Sequence, residues 1–209
     1  GGSGRRRGDG PLDAITDDDP FTIEDFWAGT PTSVEKDVAE ALRQIADGLT
    51  LRGGRLLAPY GIRFVIVPLA DGANGTIESP LQPPYGLIDV LDDQLDLAAP
   101  LTKPPNYIVY ENTAYTPTRS LLSPKGVEAS QQAGGEELAQ ADLRGSVPFA
   151  VGSPDRGDAV GDVAAGTLHI GVPYDAHWQL TVDGQRVVGR RAFGSTLAFD
   201  VPAAGRATL

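Results

Sequence analysis

The stretch "LHIGVPYDAHWQLTVDGQRV", residues 168–187, decides how the second half of the chain is read. Both of its halves alternate apolar and polar residues with the period of a half-buried strand. From Trp178 onward, Trp178, Leu180 and Val182 fall on one face, and Gln179 and Thr181 on the other. "VDGQ" then closes a hairpin, because Asp-Gly accepts the positive φ angles of a type I′ turn. Between the halves stand Asp175, His177 and Trp178, and two readings compete for them. In one, Trp178 caps the core of the sheet and Asp175 shapes the turn. In the other, the ring stacks on a sugar while Asp175 and His177 orient its hydroxyls. The alternation favours the cap.

Outward from this hairpin the texture stays the same. "SVPFAVG", "GTLHIGVPYD", "QRVVGRRAF" and "STLAFDVP" are short alternating runs with turns between them, which predicts an antiparallel sheet or sandwich over 146–209. "AGRATL" at the end reads as a strand broken off mid-alternation. The first half is different. In "TPTSVEKDVAEALRQIADG", Thr32 and Glu35 have capping-box spacing. Val34, Val38, Leu42, Ile45 and Leu49 then form one helical stripe, and Gly48 stops the helix. The stripe is expected to pack on the sheet containing 62–68. "IRFVIVP" (62–68) is a continuous β-branched and aromatic run, as expected of a central strand covered on both faces. "GLIDVLDDQLDL" (86–97) reads as a second helix and "YIVYEN" (107–112) as another strand.

The fold class expected is therefore α+β: a small α/β unit with two helices and buried strands, then an antiparallel β-sandwich-like sheet. The boundaries expected are a flexible arm at 1–20, the α/β subdomain at 21–122, a linker or mobile loop at 123–145, and the β subdomain at 146–209. Gly1–Gly4 reads as a cloning remnant, with the chain cut from something larger.

The bulk numbers narrow the function. The chain has 209 residues and 41% hydrophobic content, enough for a real core, and its 26 Gly and 17 Pro favour turns over a helical bundle. Lys+Arg 17 against Asp+Glu 28 gives a net charge of −11, which argues against nucleic acid or an anionic membrane as partner. With no cysteine there is no disulfide framework and no thiol nucleophile. No apolar run approaches the ~20 residues that cross a bilayer, and no signal-peptide h-region follows the basic N-terminus.

Few residues carry chemistry in a recognisable pattern. His169 sits on a strand, and its spacing from His177 matches no zinc site. Asp155, Asp158 and Asp162 lie in a Gly-rich loop that suits calcium in ligand type, although the spacing belongs to no recognised calcium loop and solvated carboxylates are favoured. Asp17–Asp19 falls in the arm. Asp92, Asp93 and Asp96 read as the wet face of a helix. No phosphate-cradling glycine loop and no nucleophile elbow occur, and no cofactor is expected.

Three passages, in order, resemble a known family. "GRLLAPYGIRFVIVP", "YIVYENTAYTPTRSLL" and "GVPYDAHWQLTVDGQRV" are similar to segments in the C-terminal soluble region of actinobacterial polytopic membrane glycosyltransferases of the family 2 type, and the second also to YfhO-like membrane proteins. The resemblance implies an extracytoplasmic domain of a plasma-membrane enzyme that builds cell-envelope polysaccharide or glycolipid. Its transferase chemistry would lie outside this fragment. It also implies that Tyr110, Asn112, Pro117, Trp178, Asp183 and Gly184 are fold determinants. The partners implied are a glycan or polyprenyl-linked sugar and the membrane portion of the same polypeptide. Tyr115 joins Asp175, His177 and Trp178 as a candidate glycan contact. Arg5–Arg7 points the other way, since arginines beside a membrane span favour the cytoplasmic side. The rival readings are a protein-interaction or scaffold domain without carbohydrate binding, and a glycan hydrolase needing two carboxylates across a groove.

Overall fold

Helix α1 spans Ser33–Ala46. It begins directly after Thr32 and ends before Gly48, whose φ of 67° lies in the left-handed region that terminates helices. The computed structural model describes residues 30–70, 82–99, 106–132, 134–149, 151–152 and 159–209. The arm expected at 1–20 lies outside them. Residues 33–209 cluster as one compact unit and residues 1–32 as another. Of the second unit only 30–32 are described, without regular secondary structure.

The buried face of α1 differs from the expected stripe. Ala41 and Ile45 are buried and Val34 and Val38 half-buried, while Leu42 and Leu49 are 43% and 67% exposed. The helix packs chiefly on α2 (Gly53–Leu57) and α3 (Leu87–Asp92), not flat on the strand at 62–68. The second helix also stops short of expectation, at Asp92. Beyond it the chain turns inward to bury Gln94 and Asp96 before β2 (Leu97–Ala98).

Among the described residues strand β1 (Phe64–Pro68) lies at a sheet edge, which corrects its reading as a central one. It pairs antiparallel with β3 (Tyr107–Asn112), Phe64 opposite Glu111 and Pro68 opposite Tyr107, and β2 flanks the far side of β3. Val67 and Ile108 face the core, whereas Phe64 and Ile66 are 48% and 60% exposed. The run is apolar on both faces, but the described residues cover only one.

Residues 123–145 are not a linker. They carry α4 (Pro124–Ser130), with Ser123 Oγ accepting from the Gly126 amide, and a 3-10 turn at Gly135–Gln140. Ala129, Leu138 and Leu143 are buried in the same core as Ile45, Leu57 and Tyr110. Three anchors spread over twenty-odd residues are too sparse to make a periodic signal, but they suffice to hold the segment down.

The remaining strands build two antiparallel sheets. One has the order β11-β12-β8-β4-β5, from Gly189–Ala192, Thr196–Val201, Gly166–Pro173, Arg119–Leu121 and Val147–Pro148. The other has the order β10-β9-β13-β7-β6, from Gln185–Val187, Leu180–Val182, Gly205–Thr208, Ala159–Val163 and Val151–Gly152. A boundary at 122 would cut the first of these, because β4 pairs with β8, Ser120 opposite His169. Alternate residues of that sheet serve different cores. Leu197 and Phe199 join Leu168, Ile170, Leu180 and Ala207 in the second core. Ala198 joins Ala192 and Phe193 in the first, against the helices. The class is α+β as expected, with one sheet shared between two cores in place of two subdomains joined by a linker.

Candidate functional site

The turn at 175–178 is assembled by Asp175. Its Oδ1 accepts from the His177 amide at 2.8 Å and lies 2.6 Å from His177 Nδ1, while its carbonyl oxygen accepts from the Trp178 amide at 3.3 Å. The amide bond first, and then the ring bond, hold the Asp175 carboxyl below the usual carboxylate range. The His177 side chain is 95% exposed. Trp178 is half-buried against the second core, on the same face as the buried Leu180 and Val182. The alternation read from sequence therefore persists, although the strand itself starts at Leu180. Asp183 and Gly184 have φ of 49° and 77°, as the hairpin turn requires. Asp183 also accepts from the Arg206 amide at 2.8 Å, tying the hairpin to the last strand.

The other candidates lie elsewhere. Tyr115 follows β3, with the Arg63 guanidinium 5.7 Å from its ring centre. Asp155 and Asp158 fall outside the described residues. Asp162 is exposed, with Arg206 at 3.4 Å. Among the described residues no group of three His, Cys, Asp or Glu could hold a metal ion. Asp17–Asp19 also lies outside them.

A buried polar cluster joins Gly53, Gly54, Gln94, Asp96 and Asn112, and although the family resemblance implied Tyr110 and Asn112 as fold determinants, sequence reasoning did not assemble it. The Gly53 amide donates to Gln94 Oε1 at 2.7 Å, and the amides of Gly54 and Arg55 donate to the Asp96 carboxylate at 2.8 and 3.0 Å. Two side chains more than forty residues away thus cap the start of α2, satisfying amides that no preceding turn can reach. Asn112 closes the cluster with three bonds, to the carbonyls of Gly54 and Ile62 and the amide of Ala114. Tyr110 donates its hydroxyl to Asp92 at 2.8 Å, and burial first, then that bond, pushes its pKa up. Asp96 therefore faces inward, not onto the wet face of a helix. The available signal was the Gly53-Gly54 pair: two glycines opening an apolar helical turn mark a close backbone approach.

His169 is fully buried on the face of β8 opposite to Leu168 and Ile170. Its Nε2 lies 3.0 Å from Thr196 Oγ1, which itself donates to the Ala192 carbonyl at 2.8 Å, so Nε2 carries the proton. The ring meets Phe193 edge-on with centroids 5.0 Å apart. Burial, then the Arg190 charge, pushes its pKa down to about 3. Neither His169 Nδ1 nor Ser120 Oγ, its neighbour across the β4–β8 register, has a hydrogen-bond partner among the described residues. A hydroxyl and an unprotonated imidazole nitrogen on one sheet face could in principle act as nucleophile and base. Both residues are sealed, at 0% exposure.

No family model, curated protein or solved structure matches this chain.

Hollows open on both sides of α1 among the described residues. A cleft of about 570 Å³ opens between α1 and the 49–52 connection, lined by Glu40, Arg43, Gln44 and Arg52 beside exposed leucines. Arg43 contacts Glu40 at 2.6 Å and Asp47 at 2.8 Å, and bonding to Arg43, then Gln44, brings the Glu40 carboxyl down to about 2. An apolar groove of about 430 Å³ runs between α1 and β1, lined by Leu42, Ile45, Val65, Pro68, Leu87 and Leu91. Both volumes fall in the range that holds small ligands. No helix among the described residues is long and apolar enough to cross a membrane.

Proposed function

We propose that this chain is a non-catalytic, glycan-facing accessory domain of a membrane glycosyltransferase, lying on the extracytoplasmic side and serving cell-envelope polysaccharide or glycolipid synthesis. The observation that carries this reading is where the polar residues of the three family-like passages are spent. Asn112 bonds inside the first core, Tyr110 bonds Asp92 at the margin of that core, and Asp183 bonds the last strand. These are roles that hold a fold together. Ser120 and His169, the nearest approach to a nucleophile and base, have no opening to a substrate. Ligand contact falls to the turn at 175–178, where a half-buried indole stands beside a paired, outward-facing His177 and Asp175. An aromatic face next to polar orienters suits a sugar or polyprenyl-linked sugar.

The test is a glycan array followed by titration of the best hit. His177→Ala should weaken binding without moving the melting temperature, and Trp178→Ala should weaken both. Binding that ignores both substitutions, or no binding to any envelope glycan, sinks the proposed contact. Sugar release that disappears on changing a single Asp or Glu sinks the non-catalytic reading. An interaction domain without carbohydrate binding is favoured by one observation, the exposed apolar edge of β1.

A further inference from the structure

The backbone of β1 alternates in direction. The Asn112 amide donates to the Arg63 carbonyl at 2.8 Å, and the Leu69 amide donates to the Asn106 carbonyl at 2.7 Å. In an antiparallel ladder each residue turns both backbone groups to one side and its neighbour turns both to the other. Residues 63, 65, 67 and 69 therefore address β3, while Phe64, Ile66 and Pro68 turn theirs to the open edge. No strand among the described residues pairs with that edge.

Natural edges are blunted by lysines, bulges or prolines. The β1–β3 register runs without a bulge, and the strand "FVIVP" carries no charge. Its one protective residue, Pro68, stands last, where only the final outward amide is lost. The side chains on the outer face add to the exposure, with Phe64 at 48%, Ile66 at 60% and Tyr107, opposite Pro68, at 43%.

We propose that β1 is the seam of a weak two-fold dimer, pairing antiparallel with β1 of a second copy about Ile66. The register is self-complementary. Each Ile66 exchanges both backbone bonds with Ile66 of the other copy, and each Phe64 amide donates to the Pro68 carbonyl of the other copy. The missing proline donor falls at the two ends of the seam. Charge selects the same line. The chain carries −11, so two copies repel over most approaches, whereas this strip is neutral and Arg63 at its end is held by Glu111 at 3.0 Å. The strip is only five residues long, so the seam falls short of the ~800 Å² per partner of a standard interface and the association is weak.

Sedimentation velocity of the full chain over a wide concentration range tests this. A monomer–dimer equilibrium with a dissociation constant in the high micromolar range is expected. Ile66→Lys sets two charges against each other at the two-fold axis and should weaken it at least tenfold, with the melting temperature kept. Because the chain has no cysteine, Ile66→Cys gives a single thiol, and it should oxidise to a linked dimer faster than Val147→Cys on another exposed strand. A monomer at all concentrations overturns the proposal, as does a dimer indifferent to Ile66→Lys. Binding of a synthetic 62–69 peptide by a chain that never self-associates also overturns it, in favour of an extended-peptide partner.

Discussion

Asn112 and Gly54 meet where no β-carbon fits. Asn112 Nδ2 donates to the Gly54 carbonyl at 2.8 Å, and a β-carbon on residue 54 would stand 2.5 Å from Asn112 Oδ1. The side chain ties the start of α2, the approach to β1 and the end of β3 into one knot. The glycine is required here by distance and not by backbone angle. Asn112 is 2% exposed, and its bonds to the Gly54 carbonyl and the Ala114 amide are buried, away from competing water.

Breaking that knot from either side should be costly. Gly54→Ala must push Asn112 and Asp96 apart, an overpacking cost of about 1–3 kcal/mol. Asn112→Ala strands two carbonyls and an amide in the core, and about 3 kcal/mol is expected. Urea midpoints at constant slope measure both. A Gly54→Ala protein as stable as the parent would remove the close approach from the account.

Asp96 and Asp93 are three residues apart and should behave oppositely. Asp96 is 5% exposed and receives the amides of Gly54 and Arg55, while Asp93 is exposed. Asp96→Asn puts an amide donor among donors, and should cost about 2 kcal/mol. Asp93→Asn should stay within about 0.5 kcal/mol of the parent. Equal effects would return Asp96 to the solvated face that its spacing suggests.

What the sequence exposed, and what it hid, follows from the range of each interaction. The hairpin at Asp183-Gly184 is legible because four consecutive residues set its angles. The α1 helix is legible because its period is local. Which side of α1 is buried was only partly legible, since Leu42 and Ile45 are equally apolar and the packing partner decides between them. "FVIVP" reads as a covered strand because hydrophobicity records what a strand can bury, not whether another element reaches it. The cap on α2 joins residues more than forty apart, and the anchors at Ala129, Leu138 and Leu143 follow no period. The turn at Asp175–Trp178 was found as a cluster, but its split between core cap and outward pair depends on tertiary burial.

Ile45 on the buried face of α1 and Leu49 just past its end separate the observed packing from the expected stripe. Ile45 is 2% exposed and Leu49 67%, although both belong to the expected stripe. Ile45→Asp buries a charge with no partner and should unfold the domain or lower its stability by about 4 kcal/mol or more. Leu49→Asp should leave the melting temperature almost unchanged. Circular dichroism melts of the pair distinguish the observed face from the expected one.

His169 should make stability fall in mild acid. Burial, with Arg190 contributing, lowers its pKa from 6.5 to about 3 in the folded chain. Between those values the unfolded chain takes up a proton that the native chain refuses, so unfolding is favoured as pH drops. Above about pH 6.5 both states are neutral there and the full stability is present. Below it the loss is about 1.4 kcal/mol per pH unit, continuing toward pH 3. From pH 6.5 to 5, where most carboxylates remain ionised, roughly 2 kcal/mol should disappear from the unfolding free energy by this route. The chain has two histidines, so a His177→Ala background isolates the effect. In that background, His169→Gln keeps a donor toward Thr196 but has nothing to titrate. It should flatten the urea midpoint between pH 7 and 5, whatever it costs in absolute stability. A slope that survives His169→Gln would place the acid-sensitive group elsewhere, and a midpoint that does not move at all in the His177→Ala protein would mean that the ring is not held neutral by its burial.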